Sequence, residues 1–248
     1  MRAILAGGGT GGHVIPALAI ANELRTRYNC EIAFVGTARG IETRLVPAAG
    51  YELKLIEVSG YKGMSIANRL KALRAVPSSV LASLRILRKF KPDVMIGVGG
   101  YASAPAMIAA GIAGVPSLVF EPNVVPGLAN RIAGKFAKVA AVHFEQTGRW
   151  FRRYEVTGVP VREAFFHVPP KTGGTPTLLL FGGSQGARIL NRTMCDALPL
   201  VRDRVPGIHI IHQTGQREYE QVRAAYQASG VSAEVSPFID NMPEIFGR

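Results

Sequence analysis

Three times along this chain a short apolar run gives way to a cluster of glycines and then to a helix-length segment. The first is Ala3 to Ala6, followed by Gly7-Gly-Gly-Thr-Gly-Gly-His13 and then Val14 to Leu24, with Pro16 placed in the expected first helical turn. The second leads from Pro92 to Val98 into Gly99-Gly-Tyr-Ala-Ser-Ala-Pro105, and the third from Thr177 to Phe181 into Gly182-Gly-Ser-Gln-Gly-Ala-Arg188. Strand, bare turn and helix in that order are the building unit of a parallel sheet, so the repetition predicts an α/β fold. In such sheets ligands gather at the carboxyl ends of the strands, where these turns lie. A turn stripped of side chains at a helix N-terminus offers peptide N–H groups and partial positive charge, which suits an anion.

The spacing Gly7-x-Gly9-x-x-Gly12 also satisfies the dinucleotide fingerprint, so an NAD(P)-dependent oxidoreductase is one alternative. That alternative needs a carboxylate at the end of the second strand to hold the ribose. The second strand, Glu31 to Val35, runs into Gly36-Thr-Ala-Arg39 and offers none there. A turn serving only close helix–strand packing is another reading. Thr10 and His13, a hydroxyl and an imidazole at the mouth of the turn, have no purpose in it.

The 248 residues, 48% of them hydrophobic, supply core for two modest domains or one large one. A formal charge of +12 favours an anionic partner: nucleic acid, anionic lipid or a phosphorylated substrate. Aromatics make up only 8% and no nucleic-acid-reading motif is present, so no nucleic-acid partner is expected. Cys30 and Cys195 lack any C-x-x-C or ligand cluster and read as reduced thiols. The apolar run before Gly7 is too short for a secretory signal. From Val94 to Phe120 no residue is charged, a length able to span a bilayer, yet Gly97, Gly99, Gly100, Pro105, Gly111, Gly114 and Pro116 cut it into strand, loop, helix and strand.

Elsewhere the pattern predicts a short helix over 41–46 stopped by Pro47, a strand over 51–58, strands over 115–120, 139–144 and 154–156, and a helix over 128–136. Between Glu57 and Asp93 there is no acidic residue, while Lys62, Arg69, Lys71, Arg74, Arg85, Arg88, Lys89 and Lys91 alternate with apolar residues. Two basic amphipathic helices over 62–91, parted near Pro77, fit an anionic bilayer surface, and equally a solvated face. Residues 158–176, rich in Gly and Pro, read as crossover and linker. The division expected is 1–163 for a first Rossmann-like domain and 164–248 for a second, with strands over 177–181, 208–211 and 234–238; three strands are few for a doubly wound domain.

Seven motifs stand in order: G-G-G-T-G-G-H at 7–13, G-V-G-G-Y-A-S-A-P at 97–105, E-P-N at 121–123, G-V-P-V-R at 158–162, G-G-S-Q-G-A-R at 182–188, H-Q-T-G at 212–215 and F-I-D-N-M at 238–242. In this the chain resembles the MurG family, the UDP-N-acetylglucosamine transferases that convert lipid I to lipid II in peptidoglycan synthesis. The resemblance implies two Rossmann-like doubly wound domains of GT-B type, the second incomplete here. Lipid I would be held mainly by the first half and UDP-GlcNAc mainly by the second. It implies a peripheral protein on the cytoplasmic side of the bacterial inner membrane, docked through the basic helices at 62–91 and working beside other cell-wall synthesis proteins.

Carried onto matching positions, Thr10, Gly11, Gly12, Asn123, Arg162, Ser184 and Ile239 are expected to contact the nucleotide sugar. His13, Tyr101 and Glu121 are expected near the reacting acceptor hydroxyl. The family usually has Gln at Pro122 and Asn at Val159, so those two polar contacts are not carried over. Family members continue past the point that matches Arg248, which leaves an incomplete copy, an acceptor-binding subunit of a split transferase and a chain without catalysis as readings.

The implied chemistry is an inverting displacement at the anomeric carbon. It needs a base for the acceptor hydroxyl, for which His13 ranks first and Glu121 second, and donors for the leaving diphosphate, for which the Gly11-Gly12 and Ser184-Gln185 amides qualify. No D-x-D-like ligand pair stands at a strand end. No metal and no other cofactor is expected.

Overall fold

The computed structural model describes residues 1–58, 76–161, 163–183 and 185–248. It divides into two compact units, Met1–Val161 and Arg162–Arg248.

The first unit runs β1 (Arg2–Gly7), α1 (Gly11–Tyr28), β2 (Glu31–Gly36), α2 (Glu42–Ala48), β3 (Glu52–Leu55), α3 (Val76–Phe90), β4 (Val94–Gly99), α4 (Ser103–Ile112), β5 (Ser117–Glu121), α5 (Leu128–Ala133), β6 (Val139–Val142), a 3-10 turn (Glu145–Trp150) and β7 (Tyr154–Val156). Its sheet has the order β3-β2-β1-β4-β5-β6-β7, and every pairing is parallel. The strand order reverses between β1 and β4, the switch point at which an open parallel sheet leaves a crevice.

Alternation along the strands explains why both faces are covered. Ile4 and Ala6 of β1 join Met95, Met107 and Val119 in one apolar cluster, whereas Leu5 between them joins Val14, Phe34, Ile96 and Phe120 in the other. A strand buried on both sides reads as continuous apolar sequence. The uncharged run from Val94 to Phe120 is therefore β4, α4 and β5 in the centre of the sheet, and among the described residues no helix is long and apolar enough to cross a membrane.

Several boundaries differ from the sequence expectation. Helix α2 continues through Pro47, because a proline in the final turn interrupts little that follows. Pro16 lies a turn deeper in α1 than expected, since the helix already begins at Gly11. Strand β3 covers only Glu52–Leu55, and α5 stops at Ala133, where Gly134 follows. Of the two basic helices expected over 62–91, α3 is seen from Val76, with Pro77 inside its first turn; 59–75 lie outside the described residues.

The second unit comprises a 3-10 turn (Glu163–His167), β8 (Thr177–Phe181), α6 (Arg188–Arg204), β9 (His209–Gln213), α7 (Tyr219–Ser229), β10 (Ala233–Ser236) and α8 (Met242–Phe246). Its three strands are parallel in the order β10-β9-β8. Met194, Leu198, Ile210, Val222 and Tyr226 form its core.

Candidate functional site

In the first unit the turns after β1 and β4 interlock. The Gly8 N–H donates to the Gly99 carbonyl at 3.2 Å, and Gly100, at φ +83°, presses its Cα so close to the Gly8 peptide that any Cβ there would collide with it. This contact fixes the backbone that opens α1. The first N–H groups of that helix have no partner within it. Thr10 is its N-cap residue without a side-chain cap bond, and among the described residues no acceptor meets the amides of Thr10, Gly11 and Gly12. Three adjacent donors at a helix N-terminus make an anion seat.

His13 stands over this seat, half-buried. Its Nδ1 lies 3.1 Å from the Gly8 carbonyl oxygen and 3.2 Å from Thr10 Oγ1. A carbonyl only accepts, so the Gly8 contact assigns the proton to Nδ1 and leaves a lone pair on Nε2. That nitrogen borders Gly99: a Cβ at Gly99 would come within 3.0 Å of it and within 3.4 Å of Asn130 Nδ2.

Asn130 leads to the end of β5. Its Nδ2 donates to the Phe120 carbonyl and to Glu121 Oε2, both at 3.0 Å. Glu121 is buried, and its other donors are the Asn123 N–H at 2.9 Å, Asn123 Nδ2 at 2.8 Å and the Gly127 N–H at 3.2 Å. Four N–H groups thus occupy both oxygens. The expectation that Glu121 acts as a base therefore meets a carboxylate already committed to shaping the 122–127 loop. Thr147, fully buried, completes that loop by donating to the carbonyls of Asn123 and Val124. Asn123 keeps its exposed side-chain oxygen, while both of its nitrogens serve Glu121. Tyr101 projects from the β4–α4 turn, 41% exposed.

A carboxylate does reach the first glycine turn, from a place the strand-end rule does not examine. Glu42, the first residue of α2 and only 1% exposed, accepts the Gly9 N–H at 2.7 Å, and its other oxygen takes the Thr37 N–H and hydroxyl at 3.0 Å each. It is turned into the turn's own backbone and is spent there. A dinucleotide pyrophosphate would have to share Gly9 with it, so the oxidoreductase alternative loses its footing. Glu42, Asn130 and Thr147 were invisible as site residues in the sequence; the one hint was the pair of glycines ahead of Glu42, Gly36 and Gly40, which leave room for its side chain.

In the second unit the ends of β8, β9 and β10 are tied by side chains of β9. Gln213 Nε2 donates to the Gly183 carbonyl at 2.7 Å, and its Oε1 accepts the Ile239 N–H at 2.9 Å. Ile239 is thus held in place with its amide N–H already used. Behind it lies a buried chain: Tyr226 OH at 3.0 Å from His212 Nδ1, His212 Nε2 at 3.1 Å from Asn191 Oδ1, and Asn191 Nδ2 donating to the Thr214 carbonyl at 2.9 Å and to Glu218 Oε2 at 2.7 Å. Because Asn191 Nδ2 donates twice, its oxygen is the acceptor for His212 Nε2–H, and Nδ1 accepts from Tyr226. Burial pushes the His212 pKa down to about 4 and that of Tyr226 upward. Arg162 and Ser184, expected to contact the nucleotide sugar, lie outside the described residues.

Two family assignments cover the chain: the glycosyltransferase family 28 N-terminal domain over residues 3–142 and the glycosyltransferase family 28 C-terminal domain over 177–248. The chain is 47% identical over 249 aligned residues to the UDP-N-acetylglucosamine--N-acetylmuramyl-(pentapeptide) pyrophosphoryl-undecaprenol N-acetylglucosamine transferase of Syntrophus aciditrophicus, covering 98% of this chain and 69% of that protein. Its identity to the protein of the same name from Anaeromyxobacter dehalogenans is 46%, over 98% of this chain and 65% of that one. The chain thus spans roughly two thirds of the length of these relatives. Among solved structures it is similar to Acinetobacter baumannii MurG, with a TM-score of 0.74, 28% identity, and coverage of 98% of this chain and 69% of that one. A Neisseria meningitidis UDP-GlcNAc 2-epimerase, at 12% identity and a TM-score of 0.66, shares the fold. Both halves match in order and nearly every residue aligns: the chain belongs to glycosyltransferase family 28, among its MurG-type N-acetylglucosamine transferases.

Proposed function

We propose that this chain works in the transfer of N-acetylglucosamine from UDP-GlcNAc to undecaprenyl-pyrophosphoryl-MurNAc-pentapeptide, lipid I, with inversion at the anomeric carbon. The observation that carries this reading is the pairing of an unpartnered amide triplet, Thr10 to Gly12, with an imidazole whose Nε2 is a free acceptor, in a chain of this family. As the acceptor oxygen bonds to the anomeric carbon, His13 Nε2 takes its proton. The bond from that carbon to the UDP oxygen breaks at the same time, and the electron pair leaves on the diphosphate. Amides at helix N-termini stabilise diphosphate charge without reorganising. Tyr101 and Asn123, on the turns beside His13, contact the sugars, and Glu121 acts by holding Asn123. In the second unit the strand-end turns organised by Gln213, with Ile239 on one of them, receive the nucleotide sugar, together with Ser184 and Arg162.

Docking at the cytoplasmic surface of the bacterial membrane belongs to the same proposal. Helix α3 exposes Leu81 beside Arg85, Arg88 and Lys89, a mixture suited to anionic headgroups. Lys62, Arg69, Lys71 and Arg74, which lie outside the described residues, add four further positive charges to the sequence just before it.

The test is transfer of radiolabelled N-acetylglucosamine to a lipid I analogue, by this chain alone and by this chain supplemented with the remaining C-terminal segment of the Syntrophus aciditrophicus relative. Product in either arm, reduced by about two to four orders of magnitude in His13→Ala, is expected. Absence of product in both arms, or full turnover by His13→Ala, overturns the assignment.

A further inference from the structure

The Gly8–Gly9 peptide is held at both of its ends. Its carbonyl accepts from His13 Nδ1 at 3.1 Å, and its N–H donates to Glu42 Oε2 at 2.7 Å. The structure is built around this second contact. Glu42 is 1% exposed, its neighbours Gly8, Gly36 and Gly40 have no room for a Cβ, and among the described residues no cation pairs with it. A buried carboxylate without a counter-ion is costly unless N–H and O–H donors surround it, and here Gly9 and Thr37 provide them. One oxygen of this carboxylate holds Thr37 at the end of β2, and the other meets the peptide N–H beneath the proposed base.

We infer that Glu42 is a positioning residue that sets the tautomer of His13 through the Gly8–Gly9 peptide. Negative charge against the N–H end of a peptide polarises it and makes its carbonyl oxygen a stronger acceptor, as in any chain of cooperative hydrogen bonds. The Gly8 oxygen can only accept, so a stronger acceptor there favours a proton on His13 Nδ1. Thr10 Oγ1, 3.2 Å from the same nitrogen, is the competitor: its hydroxyl can donate to an unprotonated Nδ1 or accept from a protonated one. Polarisation by Glu42 decides this competition for Nδ1–H and keeps the Nε2 lone pair available. In a carboxylate–histidine dyad the carboxylate holds the imidazole directly. Here one peptide group stands between them, and no proton travels along it.

This inference rests on the reading of His13 as the base, and its test is independent of turnover. In the full chain labelled with nitrogen-15 histidine, long-range proton–nitrogen NMR in mildly alkaline buffer reports which ring nitrogen of each of the five histidines carries the proton. His13→Gln identifies the His13 signal. The expected wild-type result is Nδ1–H at His13; a dominant Nε2–H form overturns the inference without any variant. Glu42→Gln keeps the size and an acceptor but removes the charge, and a several-fold fall in the ratio of Nδ1–H to Nε2–H is expected. Glu42→Asp, which draws the carboxylate back from Gly9, moves the ratio the same way, whereas Thr37→Val, which removes a hydroxyl donor from the carboxylate but keeps its charge, does not lower it. An unchanged His13 tautomer in Glu42→Gln, with the His143, His209 and His212 signals in place, overturns the inference. A shifted tautomer together with unimpaired turnover by His13→Ala upholds the relay and removes the base assignment.

Discussion

Gly100 lies against Gly8 with no room for a methyl group between them. The contact locks the turn after β4 onto the turn after β1, and the Gly8 N–H to Gly99 carbonyl bond runs beside it. Gly100→Ala has to overcome both the clash and a φ of +83°, which costs a residue with a Cβ about 1–2 kcal/mol before any collision is counted. We expect this variant to lose at least about 2 kcal/mol in urea unfolding of the first unit. Gly114→Ala, at φ +70° in open space, isolates the backbone component and is expected to lose about 1 kcal/mol.

Asn130 ties α5 to the end of β5. Replacing it with Ala removes donors from the Phe120 carbonyl and from the buried Glu121 carboxylate, so about 1–3 kcal/mol of stability should be lost. The effect on the site should be larger than the effect on the fold. Glu121 keeps three of its four donors but loses the one that α5 supplies, and Arg131 Nε, donating to the Pro126 carbonyl at 3.1 Å, is left to tie the loop bearing Asn123 to α5. Hydrogen exchange at the Asn123 and Gly127 amides reports this directly, and faster exchange at both is the expected outcome.

The sequence made the sheets legible and much of the site opaque, for one physical reason. Strand, glycine turn and helix are local patterns, so β1, β4, β7 and β8 could be placed almost to the residue from apolar runs and glycines. Local signals also exposed Thr10 to His13, because a hydroxyl and an imidazole inside a glycine turn are conspicuous. Glu42 is joined to Gly9 across 33 positions, and Thr147 to Asn123 across 24. No periodicity encodes such pairs. Glu121 was visible as a carboxylate at a strand end, but its saturation by Asn123, Gly127 and Asn130 depends on how the following loop folds back. Ile239 was carried over by resemblance, and only the structure reveals that Gln213 consumes its N–H.

His212 should make the second unit acid-sensitive. Its pKa is lowered by burial from 6.5 to about 4, so between those values the unfolded chain binds a proton that the folded chain does not. Stability then rises with pH across that window. The contribution is fully present above pH 6.5, declines as pH falls below it, and is exhausted near pH 4, a loss of about 3 kcal/mol in all. Urea unfolding followed at the methyl groups of Ile210 and Ile211 should trace this slope. His212→Gln should flatten it, at the cost of lower stability at pH 7 because Tyr226 or Asn191 loses its partner.

Gln213 offers the clearest separation of binding from folding. Its side-chain amide joins the turn after β8 to the segment after β10, donating to Gly183 at 2.7 Å and accepting from Ile239 at 2.9 Å. Both partners are backbone groups at strand ends, where a parallel sheet presents its ligand. Gln213→Leu preserves bulk in a position only 2% exposed but abandons both bonds, which should cost about 1–3 kcal/mol of stability. Gln213→Glu retains an acceptor for the Ile239 N–H and loses the donor to Gly183. If these turns receive the nucleotide sugar, each variant should weaken UDP-GlcNAc binding by calorimetry, and Gln213→Leu should weaken it more, because it frees both turns. Equal affinity in wild type and Gln213→Leu would mean that the two strand ends need not be held together for the ligand. The nucleotide-sugar site would then have to be sought elsewhere in the second unit.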